Sequence, residues 1–238
     1  MKNFKSILLS IALVSAFAAC NKDNCIDGNG GNVSRNYNMA DFNALSIYGD
    51  AQVTVTKGAD RAVRIEAQDN VLNELNVAVS SGTLNIGKDN CFNSGTNKLK
   101  IYVNTPTLIG LTSSGSVDIT SNDTFTENSF STVLSGTGTM DINIDVANFQ
   151  SSVSGTGTVI ARGKATNQFF ASSGDANFEC FDLIGEDVDI DVSGTANAEV
   201  HATKTLNIEV SGSATIYYKG NPSITQNISG TATIIDAN

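Results

Sequence analysis

The feature that most constrains this chain is a Ser-Gly dipeptide that recurs at nearly regular intervals through the second half. Successive glycines lie 18 to 21 residues apart. A fixed period in this range indicates a repeat architecture, in which one unit cannot bury its apolar face without a neighbour. The copies are Ser114-Gly115, Ser135-Gly136, Ser154-Gly155, Ser173-Gly174, Ser193-Gly194, Ser211-Gly212 and Ser229-Gly230.

Apolar residues alternate with polar ones on both sides of each glycine. Val188, Ile190 and Val192 precede Gly194, for example, and Ala196 follows it. A period of two is typical of half-buried strands and excludes the helical solenoids of similar repeat length. The sequence therefore predicts an all-β fold, a parallel β-helix (β-solenoid) with about 18–20 residues per coil and the Ser-Gly pairs at its corners.

The same phase assigns the less regular positions of the repeat. It predicts that Cys180 and Ile109 point inward, together with three residues of the last copy, Ile224, Gln226 and Ile228. Glycine suits the corners because it tolerates positive φ and close approach of another backbone.

We predict that residues 37–107 form an irregular N-terminal β portion, which is continuous with the regular solenoid of residues 108–238. A degenerate first repeat centres on Gly49, and a hairpin is expected around Ser81-Gly82. A short helix is predicted at residues 69–75 with Asp69 as its N-cap.

The N-terminus has the order of parts of an exported protein. Residues 1–19 contain two lysines followed by a short apolar stretch, and Cys20 comes directly after this segment. The pattern resembles a bacterial lipoprotein signal. By that resemblance Cys20 becomes the lipidated N-terminus, followed by a flexible tether over residues 20–36. An ordinary cleaved signal peptide with a chance cysteine is the alternative.

The net charge limits which partners the chain is expected to bind. The chain carries a net charge of −10, which becomes −12 without Lys2 and Lys5, so nucleic acid and anionic surfaces are disfavoured. Contact with a membrane is therefore expected through the N-terminal lipid.

Cys25 and Cys91 lie in matching Lys-Asp-Asn-Cys segments, and we predict that these two residues form a disulfide.

Several segments together resemble one family of exported proteins. These are the lipoprotein leader, residues 42–49, residues 63–67 and the tandem Val-Ser-Gly-Thr corners. They resemble the "putative auto-transporter adhesin, head GIN domain" family, common in Bacteroidetes. The resemblance covers roughly residues 40–235. It implies a right-handed β-helix in the cell envelope, on an outer-membrane lipoprotein facing either the periplasm or the exterior, and it implies no catalytic residue and no cofactor.

The candidate binding residues are the outward pair that follows each corner glycine. Short hydroxyl and amide groups at these positions could form a flat face for a glycan or a protein, although threonine also simply suits exposed strands. The candidates are Thr137, Thr139, Thr156, Thr158, Thr195, Asn197, Ser213, Thr215, Thr231 and Thr233.

The sequence thus favours a lipid-anchored, non-catalytic binding or adhesion module without metal or cofactor. Two alternatives stay open, a purely structural envelope component and a polysaccharide lyase or glycosidase with an acidic surface site. The acidic candidates, which could also hold calcium, are Asp187, Asp189 and Asp191 on one strand and Asp141 with Asp145 on another. His201, the only histidine, is expected at the surface.

Overall fold

The structure, a computed structural model, describes residues 26–88, 92–93 and 98–238. Strands account for 76% of these described residues and helix for 2%. Their parallel coils stack into a β-solenoid of about seven turns. The all-β β-solenoid that the repeat predicts is therefore confirmed.

The N-terminal portion mixes parallel and antiparallel pairing. Its elements are β1 (Ile26–Asp27), β2 (Asn32–Tyr37), β3 (Ala44–Lys57), β4 (Ala62–Gln68), α1 (Asp69–Leu72), β5 (Asn76–Ser80), β6 (Thr83–Gly87), β7 (Phe92–Asn93) and β8 (Leu99–Thr105). β3 pairs in parallel with β6 and β8, while β4 pairs antiparallel with β2 and β8. β5 and β6 form the expected hairpin, whose two turn residues, Ser81 and Gly82, both have positive φ.

Two details of this portion differ from the sequence predictions. Strand β1 and all of β2 except Tyr37 lie within residues 20–36, the segment predicted to be a tether. They form strands because β1 pairs with β7 and β2 pairs with β4 along its whole length. The N-cap of α1 is Gln68 and makes no side-chain capping bond, whereas Asp69 lies in the first turn. There its carboxylate accepts a hydrogen bond from Arg35 Nη2 at 2.9 Å, so its role is to fasten α1 to β2.

The regular coils follow from residue 110 onward. Their strands are β9 (Gly110–Phe125), β10 (Ser129–Leu134), β11 (Thr137–Val153), β12 (Thr156–Ser172), β13 (Asp175–Val192), β14 (Thr195–Val210), β15 (Ser213–Lys219), β16 (Ser223–Ile228) and β17 (Thr231–Asp236). β3 stacks on β9 with Gly49 opposite Gly115, in the register of the repeat. Each later coil pairs in parallel with the one before it, as with β12 and β13.

The corner glycines are stacked directly on one another. A Cβ added at Gly174 would lie 2.0 Å from Gly155 O, and one added at Gly155 would lie 1.9 Å from Gly136 O. The same carbonyls accept hydrogen bonds from the following coil, for example from Asp175 N to Gly155 O at 2.8 Å. Close approach therefore requires glycine at these corners, and only at Gly115 does a positive φ (+99°) add to that requirement.

The interior is a continuous ladder of apolar side chains, one set per coil. Phe149, Phe170 and Phe178 stack in it, with ring centroids 5.8 and 5.1 Å apart for successive pairs. Cys180 is fully buried, as its phase predicts. One buried polar pair interrupts the ladder, where Thr132 Oγ1 donates to Ser151 Oγ at 2.8 Å.

The inward phase fails at both ends of the regular coils. Ile109 is 40% exposed, because Leu108 occupies the interior position before β9 begins. In the last coil Ile224 and Ile228 are 39% and 38% exposed, and Gln226 is exposed as well. These three side chains have the predicted alternation but no strand stacked over them among the described residues.

Candidate functional site

The predicted binding residues do form continuous files along the solenoid. We call the outward residues one and three positions after each corner glycine the threonine face. Its first file contains Ser116, Thr137, Thr156, Asp175, Thr195, Ser213 and Thr231, and its second file contains Thr139, Thr158, Asn177, Asn197, Thr215 and Thr233. Members of a file are paired residues of neighbouring strands, so they lie about 4.8 Å apart.

Hydrogen bonds order part of the threonine face. Asn197 Nδ2 donates to Asn177 Oδ1 at 3.1 Å, and the Asp118 carboxylate accepts from Thr139 N at 3.2 Å. Asp118 also forms an ion pair with Lys98, with 3.7 Å between Nζ and Oδ2. The hydroxyl groups of the serines and threonines in the two files remain available to solvent or a ligand.

A second face was not predicted from the sequence. We call the outward residues of the strand before each corner glycine the groove face. Its central file contains Ser131, Gln150, Phe169, Asp189, Asn207 and Thr225, flanked on one side by the file Ser129, Asn148, Asn167, Asp187, Thr205 and Ser223. Three cavities open on this face, of about 580, 340 and 260 Å³.

Phe169 is the centre of the groove face and lines the two larger cavities. It is 36% exposed, whereas its neighbour Phe170 is fully buried. Successive side chains of a strand point to opposite sides, so a Phe-Phe pair must place one ring outward. That pair is the sequence feature that could have indicated this site.

The acidic candidates for catalysis are largely engaged by neighbouring coils. Asp187 Oδ1 accepts from Thr205 Oγ1 at 2.6 Å, and Asp189 Oδ1 accepts from Asn207 Nδ2 at 2.7 Å. Asp141 forms an ion pair with Arg162 and accepts a hydrogen bond from it. This hydrogen bond raises the pKa of the Arg162 guanidinium. Among residues 26–88, 92–93 and 98–238, no group of three His, Cys, Asp or Glu side chains could hold a metal ion.

The remaining candidates have simpler surroundings. His201 is half-buried, and its Nδ1 lies 3.3 Å from the backbone oxygen of Phe181. Burial raises the pKa of the Cys180 thiol to about 12, which leaves it protonated and unreactive. Cys20, Cys25 and Cys91 lie outside the described residues, so lipidation and the disulfide remain predictions.

The fold and its two laddered faces define a class of protein, a β-solenoid whose long sides present repeated, mostly uncharged polar groups. Within the described part of the chain, no helix has the length and apolar character needed to cross a bilayer. A family model, "Putative auto-transporter adhesin, head GIN domain", matches residues 41–222. The chain belongs to this family, as its leader and corner motifs predicted.

Solved structures show the same fold. The chain is similar to a "putative adhesin" from Bacteroides fragilis, with a TM-score of 0.80 and 24% identity over 88% of this chain and 100% of that one. It is also similar to a "putative lipid binding protein" from Parabacteroides distasonis, with a TM-score of 0.71 and 22% identity over 90% and 100%. A "putative adhesin" from Parabacteroides merdae has a TM-score of 0.66 and 19% identity over 90% and 100%.

At these identities the structural similarity concerns the fold alone. No curated protein matches the chain. Family membership supports a binding or adhesion role in an extracytoplasmic or envelope protein.

Proposed function

We propose that this protein is a lipid-anchored envelope protein whose β-solenoid is a non-catalytic binding or adhesion module, with its ligand on the threonine face. The observation that carries the proposal is the strict register of the two files. From β11 to β17, every coil contributes a short hydroxyl, amide or carboxylate group to each file.

A face of this kind suits binding better than chemistry. Its groups are small and fixed by the strands, so little side-chain entropy is lost when a ligand is bound. Repetition along the axis allows many weak contacts to act together, which is the basis of avidity in adhesion. Neither file contains a cysteine, histidine or lysine, and the one carboxylate, Asp175, lies in a row of exposed hydroxyls without a third group to orient it as a base.

The anchor is proposed at Cys20. The leader supports export and lipidation, and we place the lipid in the outer membrane; the acidic charge of the chain leaves the lipid as the membrane contact. The parent chain should incorporate a labelled fatty acid, whereas a Cys20→Ser variant should not. Equal labelling of the two chains would refute a lipid at Cys20.

The threonine face is tested by charge and bulk. The triple change of Thr139, Thr158 and Thr215 to lysine places three cations in the second file, whose members are exposed or half-buried. We expect binding of the full chain to arrays of glycans and of extracellular-matrix proteins to be lost, while the melting temperature changes little.

A matched control carries the same charge change elsewhere. Thr126, Thr166 and Thr203 are exposed and lie outside both files. Lysine at these three positions should leave binding intact. Equal binding by the two triple variants would refute the assignment of the ligand to the threonine face.

A further inference from the structure

The geometry points to a second binding site, on the groove face, for a neutral saccharide chain that lies along the solenoid axis with Phe169 as its stacking platform. This inference rests on the proposed function of a non-catalytic binding module. It assigns a different face and a chemical class of ligand.

The largest cavity has the shape and lining for such a chain. It encloses about 580 Å³ and extends across coils from Ile109 to Asp189. Gln150 and Phe169 lie side by side in the central file, followed by Asp189 in the next coil. Because one group of each file recurs every coil, about every 4.8 Å, the groove matches a ligand that is itself a repeating polymer.

Phe169 supplies the apolar part of the site. Its ring is excluded from the core by the alternation of the strand, since Phe170 fills the inward position. An exposed aromatic ring beside polar side chains binds ligands with one apolar face and polar edges. The C–H face of a pyranose ring has this character, and its hydroxyl groups provide the polar edges.

The polar part of the site consists of amides and a carboxylate. Asn167 Nδ2 donates to Asn148 Oδ1 at 2.9 Å, and the amides of this ladder retain donors and acceptors for ligand hydroxyls. At the end of the groove, Glu127 Oε1 accepts from Leu108 N at 3.3 Å, while the buried Oε2 has no hydrogen-bond partner. A buried acceptor without a partner is costly. Because Glu127 lines the cavity, a small rotation of its carboxylate would bring this oxygen to a ligand hydroxyl and remove that cost.

Charge selects the kind of saccharide. No lysine or arginine lines the cavity, and its two ionisable residues are Glu127 and Asp189. A uronic-acid or sulfated chain would place its anions against these carboxylates without a compensating cation. Neutral sugars avoid this repulsion.

A basic peptide fits the observations less well. Its cations would favour the neighbouring cavity, where Asp189, Asp191 and Glu209 lie together. Apart from Glu127 and Asp189, the polar side chains that line the larger cavity carry hydroxyl or amide groups, which match sugar hydroxyls better than ammonium groups.

The test measures binding of the full chain, purified in detergent, to neutral hexasaccharides. The probes are β-1,4-glucan, α-1,4-glucan and β-1,4-mannan hexasaccharides, with hexagalacturonic acid and hexalysine for comparison, in calorimetry or fluorescence titrations. We expect at least one neutral probe to bind without being cleaved. Phe169→Ala should weaken this binding about tenfold, because the stacking contact is lost.

Two variants control this result. Phe181→Ala removes another partly exposed ring, which packs under Lys219 away from the groove, and should bind the probe as the parent does. Glu127→Gln keeps the size of the side chain and should also weaken binding. Circular dichroism and melting temperature verify that each variant is folded.

The inference is overturned if no neutral probe binds, if only hexalysine or hexagalacturonic acid binds, or if Phe169→Ala and Phe181→Ala bind equally. Loss of binding with the lysine substitutions of the threonine face, but not with Phe169→Ala, would place the sugar on that face and also overturn it. Cleavage of a probe would contradict the proposed non-catalytic function instead.

Discussion

Replacement of Gly174 by alanine tests the stacking of the corner glycines most directly. The new Cβ would lie 2.0 Å from Gly155 O and 2.7 Å from Ser154 C. Carbon and oxygen atoms in favourable contact are about 3.3 Å apart, so the two coils must separate locally by about 1.3 Å. Backbone atoms surround the added methyl group, and no flexible side chain can move aside.

The free-energy cost has two parts. Strain from the added methyl group typically costs about 1–3 kcal/mol. The shift also disturbs the hydrogen bond from Asp175 N to Gly155 O, and a buried backbone group left unpaired costs about 1–3 kcal/mol. Together they predict a loss of about 2–6 kcal/mol, which for a chain of this size lowers the melting temperature by roughly 4–24 °C.

Thermal and urea unfolding followed by circular dichroism measure this loss, with two glycines as controls. A Cβ at Gly31 would meet nothing within 4 Å, and Gly49 combines the same open space with a φ of +112°. Gly31→Ala should change stability by less than about 0.5 kcal/mol. Gly49→Ala should cost about 1–2 kcal/mol from backbone strain alone. If Gly174→Ala unfolds like Gly31→Ala, the close-approach argument is wrong.

Three further predictions concern the interior. Burial raises the pKa of Cys180 to about 12 from the ordinary thiol value of 9.0, so the folded chain holds this proton more tightly than the unfolded chain. The free energy of unfolding should therefore be unaffected below about pH 9 and should fall as the pH approaches 12. In urea titrations over this pH range, Cys180→Ala should show a shallower fall than the parent chain. The same thiol should react with a thiol reagent at pH 8 only after unfolding. Thr132→Val leaves the Ser151 hydroxyl unpaired and should lower the free energy of unfolding by about 1–3 kcal/mol. Adding Ser151→Ala should recover part of that loss. If urea unfolding shows that the effects of the two substitutions are additive, the two side chains are not coupled.

The repeat allowed much of the fold to be predicted, because each coil solves the same local problem. The alternation correctly separated inward Phe170 and Val192 from outward Thr158 and Asn197. It failed where the pattern depends on which strand covers a residue, as at Ile109 and Ile224. Pairing of β2 with β4 was missed for a related reason, since a polar strand at the sheet edge has no apolar period to reveal it.

The candidate sites divide in the same way. The threonine face follows from counting residues after each glycine, so sequence was sufficient to place its members together. The groove face depends on depth, which arises when a large side chain such as Phe169 stands beside smaller neighbours in adjacent coils. Spacing along one strand does not contain that information, and only the Phe-Phe pair indicated it.

The stacked glycines also govern how such a chain can lengthen or shorten. Each regular coil contacts chiefly the coils before and after it, so duplication of one whole repeat would add a coil without disturbing the others. An insertion of one residue within a strand would instead exchange its inward and outward side chains and displace the next corner from the stack. Variation in length among related chains should therefore come in whole coils, each of which extends both faces by one more row.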